Sequence, residues 1–138
     1  MKKIVLILIA AILCSISACT KNNDPGPGNP SIVGKWRWVK SVGGIGGTTV
    51  TPQTDGYTYR FEFGADSVFK DYQNDKLLLQ SNYHISKNYK YDASMPAVDL
   101  LKIETNSTQV AYVVRHDSLY FDDIFIADGF NSVYVRIK

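Results

Sequence analysis

Alternation of apolar and polar residues runs through much of this chain and constrains its fold more than any other feature. The segment GYTYRFEF places Tyr57, Tyr59, Phe61 and Phe63 on one side of an extended strand, with polar residues between them. Because successive side chains of a strand point to opposite faces, this pattern predicts a strand with one buried face. No stretch of a dozen residues shows the 3.6-residue period of an amphipathic helix. The sequence therefore predicts an all-β domain.

Eight such segments follow one another, separated by short clusters of Gly, Asn, Asp and Ser. The predicted strands are residues 33–41, 57–63, 67–73, 76–85, 100–105, 109–115, 119–124 and 132–137. Turn-forming residues between several of them favour hairpins, so consecutive strands are predicted to be antiparallel neighbours. An eight-stranded meander with one apolar face can close into a barrel, which leaves no free edge, or fold into a two-sheet sandwich. We favour the barrel.

The alternation also predicts which side chains face the interior of this barrel. On the strand at 109–115 the predicted inward residues are Val110, Tyr112 and Val114. On the last strand they are Val133, Val135 and Ile137, with Arg136 and Lys138 on the opposite face.

The first 18 residues have the build of an export signal: two lysines, an uncharged apolar run and small residues at its end. The apolar run, residues 4–18, is shorter than the roughly 20 residues that a membrane-spanning helix needs. Its end, residues 16–19 (ISAC), resembles the lipobox of bacterial lipoproteins, in which a cysteine after small residues receives lipid. The resemblance implies that residues 1–18 are a lipoprotein signal peptide and that Cys19 carries lipid, palmitate included.

The lipobox resemblance also implies the organisation and location of the protein. Residues 19–30, rich in Pro, Gly and Asn, are predicted to be a flexible tether, because such a composition cannot form a core. Residues 31–138 are the predicted domain. The expected location is the bacterial cell envelope, with the lipid as membrane anchor in the outer membrane, facing either the periplasm or the outside. The membrane is the predicted partner, and an envelope protein partner is left unidentified.

The charge balance argues against nucleic acid as a partner. The chain has 15 Lys and Arg against 13 Asp and Glu. Removal of the signal takes away Lys2 and Lys3 and leaves 13 of each sign. Nucleic-acid-binding proteins need a basic excess or a clustered basic stripe, and this chain offers neither.

The first and last strands carry GKWRW and VYVRIK, and their residues Gly34, Trp36 and Arg136 resemble the lipocalin pattern. In that pattern a Gly-x-Trp opens the first strand, and a basic residue late in the barrel packs across the tryptophan. With the lipobox, the tether and GYTYRFEF, the chain is similar to small bacterial lipoproteins described as lipocalin-like. The resemblance implies a lipocalin-like, calycin-type barrel in which these three residues fasten the first strand to the last. A guanidinium on an indole would contribute a cation–π attraction there.

An eight-stranded barrel is either filled by its own side chains or just wide enough for one small ligand. The candidate ligand-binding residues are the aromatic Trp38, Tyr57, Tyr59, Phe61, Tyr83 and Tyr112. Rings with polar tips suit a pocket for an apolar or amphipathic molecule, and we favour this non-catalytic binding function. The alternative is a filled barrel that serves as an envelope interaction or assembly module through exposed residues such as Arg37, Arg60 and Tyr134. The glycine-rich segment 42–56 is interpreted either as a lid or as a disordered surface loop.

The sequence contains few residue patterns typical of catalysis or metal binding. His84 and His116 fall in different strands or turns, and the chain has no Gly-x-Ser-x-Gly nucleophile motif. Asp122, Asp123 and Asp128 form an acidic group near a turn, but their spacing does not fit a calcium loop. We expect no enzyme activity, no metal and no cofactor.

Overall fold

The computed structural model describes residues 30–138. The predicted signal peptide, Cys19 and the tether up to residue 29 lie outside the described residues. The elements are β1 (Gly34–Gly43), β2 (Thr48–Val50), α1 (Pro52–Asp55), β3 (Tyr59–Phe63), β4 (Val68–Gln73), β5 (Lys76–Tyr89), β6 (Val98–Ile103), β7 (Gln109–Arg115), β8 (Ser118–Asp122) and β9 (Phe130–Ile137).

The strands form one antiparallel sheet that closes on itself. From β3 to β9 each strand pairs with the next, and β1 pairs with β3 on one side and with β9 on the other. The closing pair is long, with partners that run from Lys35 and Ile137 to Gly43 and Phe130. The result is an all-β, eight-stranded antiparallel barrel, which confirms the predicted fold class and strand order. Closure pairs both outer strands of the barrel with each other, and the short β2 is the one strand of the described sheet with an unpaired edge.

The segment between the first two barrel strands is ordered and contains β2 and α1, which the sequence pattern did not predict. β2 pairs with Ser41–Gly43 of β1, whereas β3 pairs with Gly34–Arg37 of the same strand, and α1 lies between them. The Thr51 side chain caps α1 in a capping box with Thr54, and Gly56 ends the helix at φ 79°. Within residues 30–138 no helix has the length and apolarity to cross a membrane.

The inward faces follow the predicted alternation on most strands. Trp36 and Trp38 of β1, and Val110, Tyr112 and Val114 of β7, all belong to the buried core. The prediction for β9 is wrong, because Tyr134 faces the interior and is 7% exposed. In VYVRIK both faces of the strand carry apolar residues. The apolar–polar alternation therefore does not decide which of the two faces points to the interior.

One end of the barrel is closed by the first residues of the domain. The Trp36 ring is fully buried and donates from Nε1 to the Ile32 carbonyl at 2.7 Å. The Arg136 guanidinium lies 4.1 Å from the centre of that ring and donates to the carbonyls of Ser31 and Val33, each at 2.9 Å. Gly34 has φ 138°, and a Cβ there would collide with Arg136 Nη1. The Gly-x-Trp sequence therefore has a physical role, because glycine leaves the space that the guanidinium fills.

The core cluster and the closing strand pair both lie within the described residues. The core cluster is drawn from residues 32–134, and the sheet closes through β1 and β9. A fragment of residues 30–138 therefore retains the complete barrel and its core.

Candidate functional site

Two adjoining cavities occupy the barrel interior. The first has a volume of about 400 Å³ and opens to solvent near α1. It is lined by Trp38, Ser41, Val50, Asp55, Tyr59, Phe61, Asp71, Phe130 and Tyr134. The second has a volume of about 210 Å³ and lies among apolar core residues such as Phe69, Leu101 and Phe121. Phe61, Asp71 and Tyr134 line both cavities, so these three side chains lie where the two spaces meet.

Aromatic rings form most of the wall of the open cavity. The rings of Trp38 and Tyr59 meet edge to face at 5.5 Å, and those of Phe61 and Tyr134 stack at 4.8 Å. Phe61 also packs edge to face on Phe69 at 5.1 Å, which ties the cavity wall to the core. Rings held in this way present flat apolar surfaces whose faces carry partial negative charge.

Hydrogen bonds fix the polar tips near the mouth of the open cavity. Trp38 Nε1 donates to Ser41 Oγ at 3.0 Å, and this hydroxyl is 2.7 Å from the Ser132 hydroxyl. Gln73 Nε2 donates to the Tyr59 hydroxyl at 2.9 Å. The indole and the phenol are therefore held in position by protein groups.

Asp71 is the unusual residue of this interior. It lies on β4 between Phe61 of β3 and Leu79 of β5 in the sheet register, both of which pack against the core. Its Oδ1 atom is buried and has no hydrogen-bond partner among the described residues. Burial raises the pKa of the Asp71 carboxyl above its usual 3.8, although the Tyr72 backbone amide acts in the opposite direction. A buried, unsatisfied acceptor is costly, and such groups call for a functional explanation.

The charged groups that line the two cavities are all acidic. Asp55 lies at the mouth, Asp71 lies between the cavities, and Asp123 lines the inner one. Asp123 accepts a hydrogen bond from the Phe130 backbone amide at 3.1 Å. Among the described lining residues there is no Lys, Arg or His. Burial raises the pKa of the Tyr134 hydroxyl, and the nearby charges of Asp71 and Asp123 add to this shift.

The structure brings together three of the six candidate ligand-binding residues. Trp38, Tyr59 and Phe61 line the open cavity. Tyr57 precedes β3, is 46% exposed and lies 6.5 Å from the Tyr59 ring without reaching the cavity wall. Tyr83 packs in the core against Phe63 and donates to the Gly64 carbonyl at 2.8 Å.

Tyr112 borders a different space, a groove of about 500 Å³ along β6, β7 and β8. The groove is lined in part by outward-facing residues and by three charged side chains, Asp99, Arg115 and Asp122. Lys87 Nζ donates to the Tyr112 hydroxyl at 3.2 Å and to Asp99 Oδ2 at 2.7 Å. This wall is more polar than the aromatic interior, so the interior cavities are the better candidate site for an apolar molecule.

Asp71 and Tyr134, which line both cavities, were missed by the sequence analysis. The inward orientation of Asp71 could have been predicted from the alternation. Phe69 faces inward, and the side chain two residues later on the same strand shares its face. Tyr134 was assigned to the exposed surface through the reversed face of β9, and the structure corrects this assignment. Arg60, by contrast, lies outside the cavities, 3.8 Å over the ring of Tyr72.

The two histidines lie apart. His84 is an exposed side chain paired with Glu104, and His116 lies in the turn after β7 with φ 53°. Residues 30–138 hold no group of three or more His, Cys, Asp or Glu side chains arranged to bind a metal ion. The open cavity offers aromatic surfaces and the carboxyls of Asp55 and Asp71 for contact with a molecule.

The sequence matches no protein-family model, and no curated protein matches it at a significant level.

Proposed function

We propose that this protein is a lipocalin-like barrel, anchored by lipid in the bacterial envelope, that holds a small apolar or amphipathic molecule without catalysis. The observation that carries the proposal is the open cavity of about 400 Å³, walled by Trp38, Tyr59, Phe61 and Tyr134. A concave, largely apolar site with a few fixed polar groups is typical of small-molecule binding. The stacking of Arg136 on Trp36 supports the lipocalin-like assignment.

The position of Trp38 provides a direct test of binding. Trp38 lines the open cavity, whereas Trp36 is fully buried at the closed end. In residues 30–138, we expect titration with alkyl alcohols, alkyl amines and fatty acids to produce a saturable change in tryptophan emission. Trp38→Phe should remove most of this change, because the remaining indole of Trp36 is not in the cavity wall.

Calorimetric titration of the same Trp38→Phe variant distinguishes the loss of the Trp38 fluorescence signal from a loss of binding. Heat of binding that persists without the emission change would place the molecule beside Trp38. If no compound of the panel gives either a saturable emission change or heat, the proposed ligand-binding function is wrong. That result would favour the alternative, an interaction module that acts through its outer surface.

The lipid anchor is tested on the full chain in a bacterial host. We expect labelled palmitate to be incorporated into the protein and the protein to fractionate with the outer membrane. Cys19→Ser should abolish the label, whereas the matched variant Cys14→Ser should retain it, because Cys14 follows the bulky Leu13. Label that disappears with Cys14→Ser, or that survives Cys19→Ser, would contradict the assignment of the lipid to Cys19.

A further inference from the structure

The lining of the two interior cavities has the charge pattern of a site for a cation. Every charged side chain in the described lining is a carboxylate, namely Asp55, Asp71 and Asp123. Field lines from charges of one sign are focused in a cavity with low-dielectric walls, so this interior attracts a positive group and repels a negative one. A fatty acid would bring its own carboxylate into this environment and would find no lysine, arginine or histidine in the described lining.

The Asp71 carboxylate supplies a specific contact point within this field. Its Oδ1 atom is buried and has no hydrogen-bond partner among the described residues, and the Asp71 side chain lines both cavities. The other inner carboxylate, Asp123, already accepts the Phe130 amide. A cationic ligand in these cavities would therefore balance the charge of a carboxylate that has no basic residue beside it in the described lining.

The aromatic wall suits the same kind of ligand. Trp38, Tyr59 and Tyr134 line the cavity beside Asp71, and the faces of such rings attract an alkylammonium group. The apolar inner cavity, with Phe69, Leu101 and Val110 in its lining, offers room for a hydrocarbon chain.

We infer that the barrel binds an amphipathic primary amine, whose ammonium group pairs with Asp71 between the two cavities while its hydrocarbon part fills the apolar space. This inference rests on the proposed ligand-binding function and narrows its ligand class. A primary ammonium combines the positive charge that the lining attracts with N–H donors for the Asp71 carboxylate.

Three probes with the same ten-carbon chain and different head groups test the inference. They are decylamine, 1-decanol and decanoate, each titrated calorimetrically at pH 7 into residues 30–138. We expect decylamine to bind most tightly and decanoate least tightly. This ranking needs no variant, so it tests the inference whatever a substitution does to folding.

The variant Asp71→Asn tests the contact itself. It keeps the shape of the side chain and removes the charge, so decylamine affinity should fall by about tenfold to a hundredfold, the range for a hydrogen bond to a charged group. Affinity for 1-decanol should be unchanged. Asp75→Asn is the matched control, because Asp75 lies in the turn next to β4 with its side chain 92% exposed, and decylamine binding should be unaffected by it.

The outcomes separate this inference from the function on which it rests. Decanoate or 1-decanol binding as tightly as decylamine would overturn the amine assignment and leave ligand binding intact. Equal decylamine affinity in the wild type and a folded Asp71→Asn would overturn the role of Asp71. If none of the three probes binds, the proposed ligand-binding function fails together with the inference.

Discussion

Replacing Trp36 with alanine is expected to lower the free energy of unfolding of residues 30–138 by about 3–5 kcal/mol, the usual cost of deleting a buried aromatic ring. The ring is fully buried, and its loss would also remove the hydrogen bond to the Ile32 carbonyl and the surface on which Arg136 stacks. All three contacts lie where β1 meets β9, the pair that closes the barrel. Urea or guanidinium unfolding of wild type and variant measures the difference.

Trp38→Ala is the matched control for Trp36→Ala. The two tryptophans share one face of β1, but Trp38 borders the open cavity and therefore has fewer packing partners on one side. The cost of a truncation depends on how tightly the site is packed, so Trp38→Ala should destabilise the barrel less than Trp36→Ala does. Equal costs for the two variants would show that the closed end is not the more stabilising end of the barrel.

Much of the fold could be predicted from the sequence because a period of two is a strong constraint when one face of a sheet is buried. The face of β3, whose other side carries Arg60 and Glu62, was assigned correctly. The face of β9 was not, because valines, a tyrosine and an isoleucine supply both of its faces. Inside the barrel, Tyr134 packs on Phe61 and Phe121, and this long-range contact decides the orientation of the strand. Periodicity within a single strand carries no information about such a contact.

The candidate site was predicted in part for a related reason. The sequence identified aromatic residues but not which of them would surround an empty space, since that depends on how strands far apart in the chain are placed. α1 was missed because a four-residue helix is too short to show a period, although Thr51, Pro52 and Gly56 are residues typical of its caps and first turn. Asp71 was missed because the inward faces were predicted from apolar residues, and a single acidic residue on such a face does not fit that criterion.

Asp71→Asn is expected to raise the free energy of unfolding at pH 7, because it replaces a partly desolvated negative charge with a neutral amide. Burial raises the pKa of the Asp71 carboxyl, which means that the folded barrel disfavours its ionised form relative to the unfolded chain. No basic residue in the described lining offsets this cost. Removing the charge should therefore stabilise the barrel, which is the reverse of the usual effect of mutating an interior residue.

The sign of the pH dependence follows from the same shift. Below the unfolded-state pKa, near the usual 3.8, the carboxyl is neutral in both states and imposes no charge cost. As the pH rises through the raised pKa of the folded state, the wild type loses stability that Asp71→Asn keeps. Unfolding measured from pH 3 to pH 8 should therefore show a difference between the two proteins that is smallest at low pH and grows until the folded-state carboxyl is ionised. Asp75→Asn is the matched control for this measurement, because the Asp75 side chain is 92% exposed.

A wild type that is more stable than Asp71→Asn at pH 7 would mean that the carboxylate is stabilised in the folded barrel and does not need a ligand. If Asp71→Asn is instead the more stable protein, the Asp71 carboxylate lowers the stability of the empty barrel. Such a cost in stability is typical of functional residues. Ligand binding would then recover stability by an amount that grows with the logarithm of the ratio of ligand concentration to Kd. Decylamine should accordingly raise the melting temperature of the wild type more than that of Asp71→Asn, and this links the stability of the empty barrel to its proposed ligand.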